Sequence, residues 1–192
     1  MRVDISTLPP PKPDYLPIWQ KVAELGLPPG DIVEFGCSYG GTTRQLADLW
    51  PRKRVWAFDT FEGTPIEDHT PKYDAAHIAP GSLSFTDRVN IAKLFSDHPN
   101  ITPVAGRFAQ TLRVVPRGTE VCLAYIDCNL YHSCKQAYAW LRGRLVDGGY
   151  LLVDDYAGFA GVRKATDEFL TSVGIEPGEA WDGSYPFLFL GV

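Results

Sequence analysis

Asp31-Ile-Val-Glu-Phe-Gly-Cys-Ser-Tyr-Gly-Gly41 decides how the rest of the chain is read. A short apolar run enters a turn with glycines at 36, 40 and 41, and a helical pattern from Thr42 to Trp50 follows until Pro51 stops it. A strand feeding a glycine-rich turn and then a helix is an opening unit of an α/β domain. Ligands in such domains gather at the carboxyl ends of the strands.

Outward from this unit, strands and helices alternate. On the amino side, Ile18 to Leu25 reads as a helix stopped by Gly26 and Pro28-Pro29, and residues 1–17, with the run Pro9-Pro10-Pro11, form an extended arm. On the carboxyl side come a strand at Val55–Asp59, a helix at Asp87–Asp97, a strand at Ile101–Ala105 and a short helix near Phe108. Val121–Asp127 is the most apolar strand; a helix at Ser133–Arg144, a strand at Tyr150–Val153 and a helix at Val162–Val173 follow it. Ile175–Trp181 is expected as an edge strand and Phe187–Leu190 as the last strand; so short a connection makes that pair antiparallel. Residues 63–86 carry turn formers without periodicity, over a length that suits a functional loop or lid. The expectation is a proline-rich arm (1–17) and one domain (18–192) with a mostly parallel sheet, helices on both faces and an antiparallel strand at the C-terminal end.

Composition narrows the function. The 192 residues carry a formal net charge of −5, which disfavours a nucleic-acid backbone as partner. Arg52, Lys53 and Arg54 read as solvated surface. Cysteines 37, 122, 128 and 134 form no C-x-x-C pair and are read as reduced thiols. No stretch reaches the ~18 apolar residues of a membrane span, and the N-terminus lacks the layout of a signal peptide. The expected setting is the cytoplasm. An arm such as 1–17 can exchange between subunits, so a homodimer is compatible with it.

Two loops bear on a nucleotide. The first has the spacing G-x-x-x-G behind Glu34, unlike the G-x-G-x-x-G that receives a dinucleotide pyrophosphate. An acid there suits the cationic groups of S-adenosylmethionine (SAM). That glycine spacing disfavours a nicotinamide-linked dehydrogenase. The second loop, Phe58-Asp-Thr-Phe-Glu-Gly63, begins with a carboxylate at the end of the second strand, 25 residues after Glu34, where it can accept ribose hydroxyl protons.

Asp127 ends one expected strand, and Asp154-Asp155 end another. If the strands are neighbours, three carboxylates meet at one edge, and a hard cation such as Mg²⁺ relieves their repulsion. Of the four histidines at 69, 77, 98 and 132, His77 lies in the lid-like loop and is the expected general base, with a metal-bound aspartate as the alternative. Tyr131 and Tyr156 are candidates for either an acceptor pocket or core packing. Asp167 and Glu168 read as a solvated helix face; Phe108, Trp140, Phe169 and Trp181 read as core.

The segments Gly30–Thr42, Phe58–Gly63, Ile126-Asp-Cys-Asn-Leu-Tyr-His-Ser133 and Gly148-Gly-Tyr-Leu-Leu-Val-Asp-Asp-Tyr156, in this order, resemble the motifs of the macrocin O-methyltransferase family. The resemblance spans roughly residues 18–192 and implies a Rossmann-like class I methyltransferase sheet. It also implies SAM as cofactor, a divalent metal, usually Mg²⁺, and a small-molecule hydroxyl acceptor of sugar or natural-product type. Carried over to this chain, it implies cofactor contacts from Glu34, Gly36, Ser38, Tyr39, Gly40 and Thr42 and from Asp59, Thr60 and Phe61. Asp127, Asp154 and Asp155 become metal ligands, with Asp127 also catalytic. Asn129 stands where the family normally has Asp, and His132 where Glu is usual. The extra N-terminal helical region common in the macrolide enzymes is not expected here, so a macrolide sugar does not follow. A non-catalytic SAM-binding scaffold and a metal-independent N- or phenol-O-methyltransferase stay open as alternatives.

Overall fold

Every residue of Val121–Ile126 is buried, as are four of the five in Asp31–Phe35, as strands covered on both faces must be. The computed structural model describes residues 16–74, 78–79, 81–82, 91–177 and 188–191. Its strands are β1 (Asp31–Phe35), β2 (Val55–Asp59), β3 (Ile101–Ala105), β4 (Val121–Ile126), β5 (Leu145–Val153) and β6 (Leu188–Gly191). They form one sheet in the order β3-β2-β1-β4-β5-β6. The first five are parallel, and β6 runs antiparallel to β5 with Leu151 opposite Leu190. The strand order reverses between β1 and β4, which opens a crevice at their carboxyl ends.

Helices α1 (Leu16–Leu25) and α2 (Gly41–Leu49) cover one face. Ile18, Trp19, Val22, Leu46 and Ala47 pack there with Ile32, Leu123, Tyr125 and Leu152. After the short helices α3 (Pro71–Asp74), α4 (Ile91–Leu94) and α5 (Phe108–Thr111), helices α6 (Tyr131–Leu141) and α7 (Ala160–Ser172) cover the other face. Phe35 stacks on Phe58 at 5.4 Å and meets Phe108 edge-on at 5.4 Å, joining β1, β2 and α5 in one aromatic group. Phe108 is buried as expected, Trp140 and Phe169 pack half-buried against the same core, and Trp181 lies outside the described residues.

Four expectations need correction. Residues 175–177 are not strand, and 178–187 lie outside the described residues. The Ile175 amide is already committed: it donates to the Leu170 carbonyl at 2.9 Å and closes the end of α7 behind the left-handed Gly174. Among the described residues, the antiparallel partner of the last strand is β5. Helix α6 starts at Tyr131 instead of Ser133 because its cap comes from afar: Asp74 Oδ1 accepts the Tyr131 amide at 3.0 Å. Around α4 the structure describes only Ile91–Leu94 as helix, and residues 83–90 lie outside the described residues. Asp167 and Glu168 are half-buried and bonded rather than a solvated face. Asp167 accepts the Tyr156 hydroxyl at 2.6 Å, and Glu168 accepts from Tyr131, Lys135 and Lys164. No helix among the described residues is long and apolar enough to cross a membrane.

The loops leaving β1 and β4 press together. Gly36 has φ +93°, and a Cβ there would overlap the carbonyl oxygen of Asp127. Gly36→Ala should therefore destabilise the fold by roughly 2–4 kcal/mol through overpacking against backbone and left-handed strain. Urea unfolding reads this directly, and a wild-type midpoint would show that the two loops do not abut.

Candidate active site at the carboxyl edge of the sheet

Four non-glycine residues among those described have positive φ, and each sits in a different loop at this edge. Ser38 (48°) follows β1, Phe61 (56°) follows β2, Asn129 (62°) follows β4 and Asp155 (55°) follows β5. Backbone strain of this kind persists only where the surrounding structure enforces it, and it gathers at functional sites.

The loops enclose a cavity of about 230 Å³ lined by Gly36, Ser38, Asp59, Thr60, Asp127 and Asn129 among others. Five expected site residues are thus on its wall. Glu34 is buried one position behind the glycine turn, and its carboxyl accepts the Thr43 hydroxyl. Tyr39 is exposed, Gly40 abuts the Phe95 ring at the start of α2, and Thr42 is half-buried in its first turn. Phe61 is buried beneath the second loop.

Asp59 organises both cofactor-type loops. One carboxylate oxygen accepts the Ser38 amide at 2.8 Å, and the other accepts the Phe61 amide at 2.7 Å. A carboxylate has about four lone-pair sites, so Asp59 can still receive hydroxyl protons from a ligand.

Asp127, Asp154 and Asp155 each offer an oxygen within 4.8 Å of the others. The parallel ladder continues past the strands to bring them together. The Asp127 amide donates to the Phe35 carbonyl and the Asp154 amide to the Ile126 carbonyl, both at 2.8 Å. Burial, then Asp154, Glu34 and Asp155 push the Asp127 carboxyl well above the usual carboxylate range, and the Tyr125 hydroxyl partly offsets them. This donor set, all hard oxygen and too negative to stand easily alone, fits a divalent cation such as Mg²⁺.

The opposite wall holds residues that the motifs leave out. Asp68 is buried and accepts from Arg107 at 2.8 Å, Ser133 at 3.0 Å and Gln136 at 3.3 Å. With Asp74 on the Tyr131 amide, this fastens the segment after β2 to the first turns of α6. Arg107 follows the end of β3, and the strand-end rule could have flagged it. Nothing local marks Asp68, whose partners lie 39, 65 and 68 positions away. Tyr131 and Tyr156 do not line the cavity: their hydroxyls go to Glu168 and Asp167. Of the histidines, His69 bonds the Ile78 carbonyl, His98 meets Asp48, His132 is exposed, and His77 lies outside the described residues.

The chain is similar to several known proteins. The family described as Macrocin-O-methyltransferase (TylF) matches residues 18–179. The 8-demethyl-8-(2,3-dimethoxy-alpha-L-rhamnosyl)-tetracenomycin-C 4'-O-methyltransferase of Streptomyces olivaceus is 31% identical over 83% of this chain and 65% of its own length. Demethyldecarbamoylnovobiocin O-methyltransferase of Streptomyces niveus is 26% identical over 73% of this chain and 58% of its own length. The chain therefore spans less than two thirds of either curated relative. Among solved structures, the O-methyltransferase NovP superposes with a TM-score of 0.67 at 22% identity, covering 90% of this chain and 75% of that one. A calicheamicin methyltransferase does so with a TM-score of 0.67 at 21% identity, covering 91% and 75%. These two share the fold.

Glu34 gives the site a pH signature. Burial first, and then Asp59, raise its pKa from 4.5 to about 8, against the Thr43 hydrogen bond. A raised carboxyl contributes stability that is complete below pH 4.5 and is lost as pH rises through about 8. Wild-type stability should thus fall across that window, and Glu34→Gln should gain on it by on the order of a few kcal/mol by its upper end. Urea unfolding at pH 5, 6.5 and 8 tests this, and parallel trends would refute a neutral buried Glu34.

Proposed function

This chain belongs to the macrocin O-methyltransferase family, and from that premise we propose that it is a Mg²⁺-dependent O-methyltransferase that methylates a hydroxyl of a small polyhydroxylated acceptor from SAM. One observation carries the reading: Asp127 lines the cavity beside Ser38 and Asp59 and also belongs to the three-aspartate cluster, so a nucleoside site and a cation site share a wall. The relatives support the acceptor class, since their names place methyl groups on oxygen in a rhamnosyl-tetracenomycin and a demethyldecarbamoylnovobiocin. A sugar or natural-product hydroxyl is the corresponding choice here.

SAM supplies an electrophilic methyl group, which a hydroxyl oxygen must approach in line. Asp59 accepts the ribose hydroxyls while its bonds to the Ser38 and Phe61 amides keep the two loops in place. Ser38 and Gly36 line the cavity on the β1 side and Thr60 on the β2 side, where they would border the cofactor. Glu34 acts from behind the turn, where its carboxyl accepts the Thr43 hydroxyl and ties the end of β1 to the start of α2. Tyr39, Gly40, Thr42 and Phe61 shape the loops around it.

Asp127, Asp154 and Asp155 would hold the cation, which would supply a lowered pKa to an acceptor hydroxyl. The hydroxyl proton then passes to a base, either Asp127 or His77. The Asp68–Arg107–Ser133 wall keeps the segment after β2 closed against α6, which limits water at the reacting atoms.

Two substitutions test the assignments separately. Asp59→Ala should weaken binding of SAM and its demethylated product by about 10- to 100-fold, the loss expected for hydrogen bonds to a charged acceptor. Calorimetry measures it, and unchanged affinity would remove the ribose assignment. Asp154→Ala should abolish stimulation of methyl transfer by Mg²⁺; a wild-type response to added Mg²⁺ and to chelator would exclude these carboxylates as the metal site.

A further inference from the structure

Tyr125 lies on β4 two residues before Asp127, so the two side chains share one face of the strand. Leu152 of β5 stands opposite Tyr125, and Asp154 follows Leu152 by the same two-residue step. The phenol therefore arrives between the carboxylates that end two neighbouring strands. It donates to Asp127 Oδ2 at 3.3 Å and to Asp154 Oδ2 at 3.2 Å. A phenol has one proton to give, so the two acceptors share it, and both distances exceed the usual O–H···O length accordingly.

The ring itself is held firmly. Tyr125 is 1% exposed and meets Trp19 edge-on, with centroids 5.3 Å apart and planes at 78°. Trp19 belongs to α1 and is fully buried. The hydroxyl is thus aimed by a packed helix on the far side of the sheet from α6 and α7.

Resting on the reading of Asp127, Asp154 and Asp155 as metal ligands, we infer that Tyr125 is a positioning residue for the cation, holding Asp127 and Asp154 converged through its shared proton. Two carboxylates at adjacent strand ends repel and would otherwise turn apart towards water. A fixed donor between them offsets part of that repulsion before any cation arrives, so less reorganisation accompanies binding. Asp155 is tied in separately, through donation of its amide to Asp154 Oδ1 at 2.9 Å. Tyr125 acts through the ligands, as outer-shell groups at metal sites do.

Tyr125→Phe removes the hydroxyl and keeps the ring against Trp19. Mn²⁺ binding to the full chain, followed by the electron paramagnetic resonance of the free ion, should weaken by about 10-fold or more, within the range for outer-shell losses. Binding of the demethylated SAM product without metal should stay unchanged, which a general loss of structure would not allow. Trp19→Phe loosens the ring but retains the hydroxyl; it should weaken Mn²⁺ binding less, and add nothing in the Tyr125→Phe background. Equal Mn²⁺ affinity in wild type and folded Tyr125→Phe would overturn the role of Tyr125 alone. Should Tyr125→Phe not fold, unchanged Mn²⁺ affinity in Trp19→Phe would overturn it instead. A wild-type chain that binds no Mn²⁺ would overturn the metal reading itself, and this inference with it.

Discussion

The close passage of the β1 loop over the β4 loop sets the geometry of everything at this edge. Because Gly36 has no side chain, its backbone can lie against the Asp127 carbonyl. The same passage lets the Asp127 amide bond the Phe35 carbonyl, so the acid stands in line with the end of β1. The glycine turn and the first aspartate of the acidic cluster are thereby one rigid unit, although 91 positions separate Gly36 from Asp127. A bulkier residue at 36 would part the two loops and, with them, the two halves of the site.

Carboxylates dominate that unit, and the fold accommodates each differently. Glu34 is buried with a single hydroxyl partner, and its charge is suppressed to about pH 8. Asp59 accepts two backbone amides, which bind one loop to the next. Asp127 and Asp154 share the Tyr125 hydroxyl. Asp68 and Asp74, further along the same edge, have ample donors and serve as fasteners between the segment after β2 and helix α6. The contrast separates acids that hold the protein together from acids left with capacity for a ligand.

Helix α1 illustrates how remote packing enters the chemistry. Its Trp19 is not among the residues that line the cavity, yet it fixes the Tyr125 ring and so the hydroxyl between Asp127 and Asp154. On the opposite face, Tyr138 stacks on Phe169 at 4.7 Å, and its hydroxyl lies 2.7 Å from that of Thr166, locking α6 to α7 beneath the Tyr131 and Asp155 loops. Both helical layers therefore hold the strand ends in register from opposite sides of the sheet.

Much of this was legible in the sequence because it is local. Apolar runs such as Val121–Ile126 declare strands, a glycine turn between strand and helix declares a ligand-facing loop, and an acid at a strand end can point only towards the carboxyl edge. Those features were enough for the parallel sheet and for placing Asp59, Asp127 and Asp154-Asp155 at strand ends; the three aspartates meet because β4 and β5 are neighbours. Tertiary structure decided the rest. It paired β6 with β5, started α6 at Tyr131 through Asp74, joined Asp68 to Arg107 and Ser133, and set Tyr125 between two acids. Each of these depends on which strands become neighbours and in what register. Groups tens of residues apart acquire a partner only once the packed sheet has fixed their separation, and no short-range pattern encodes that distance.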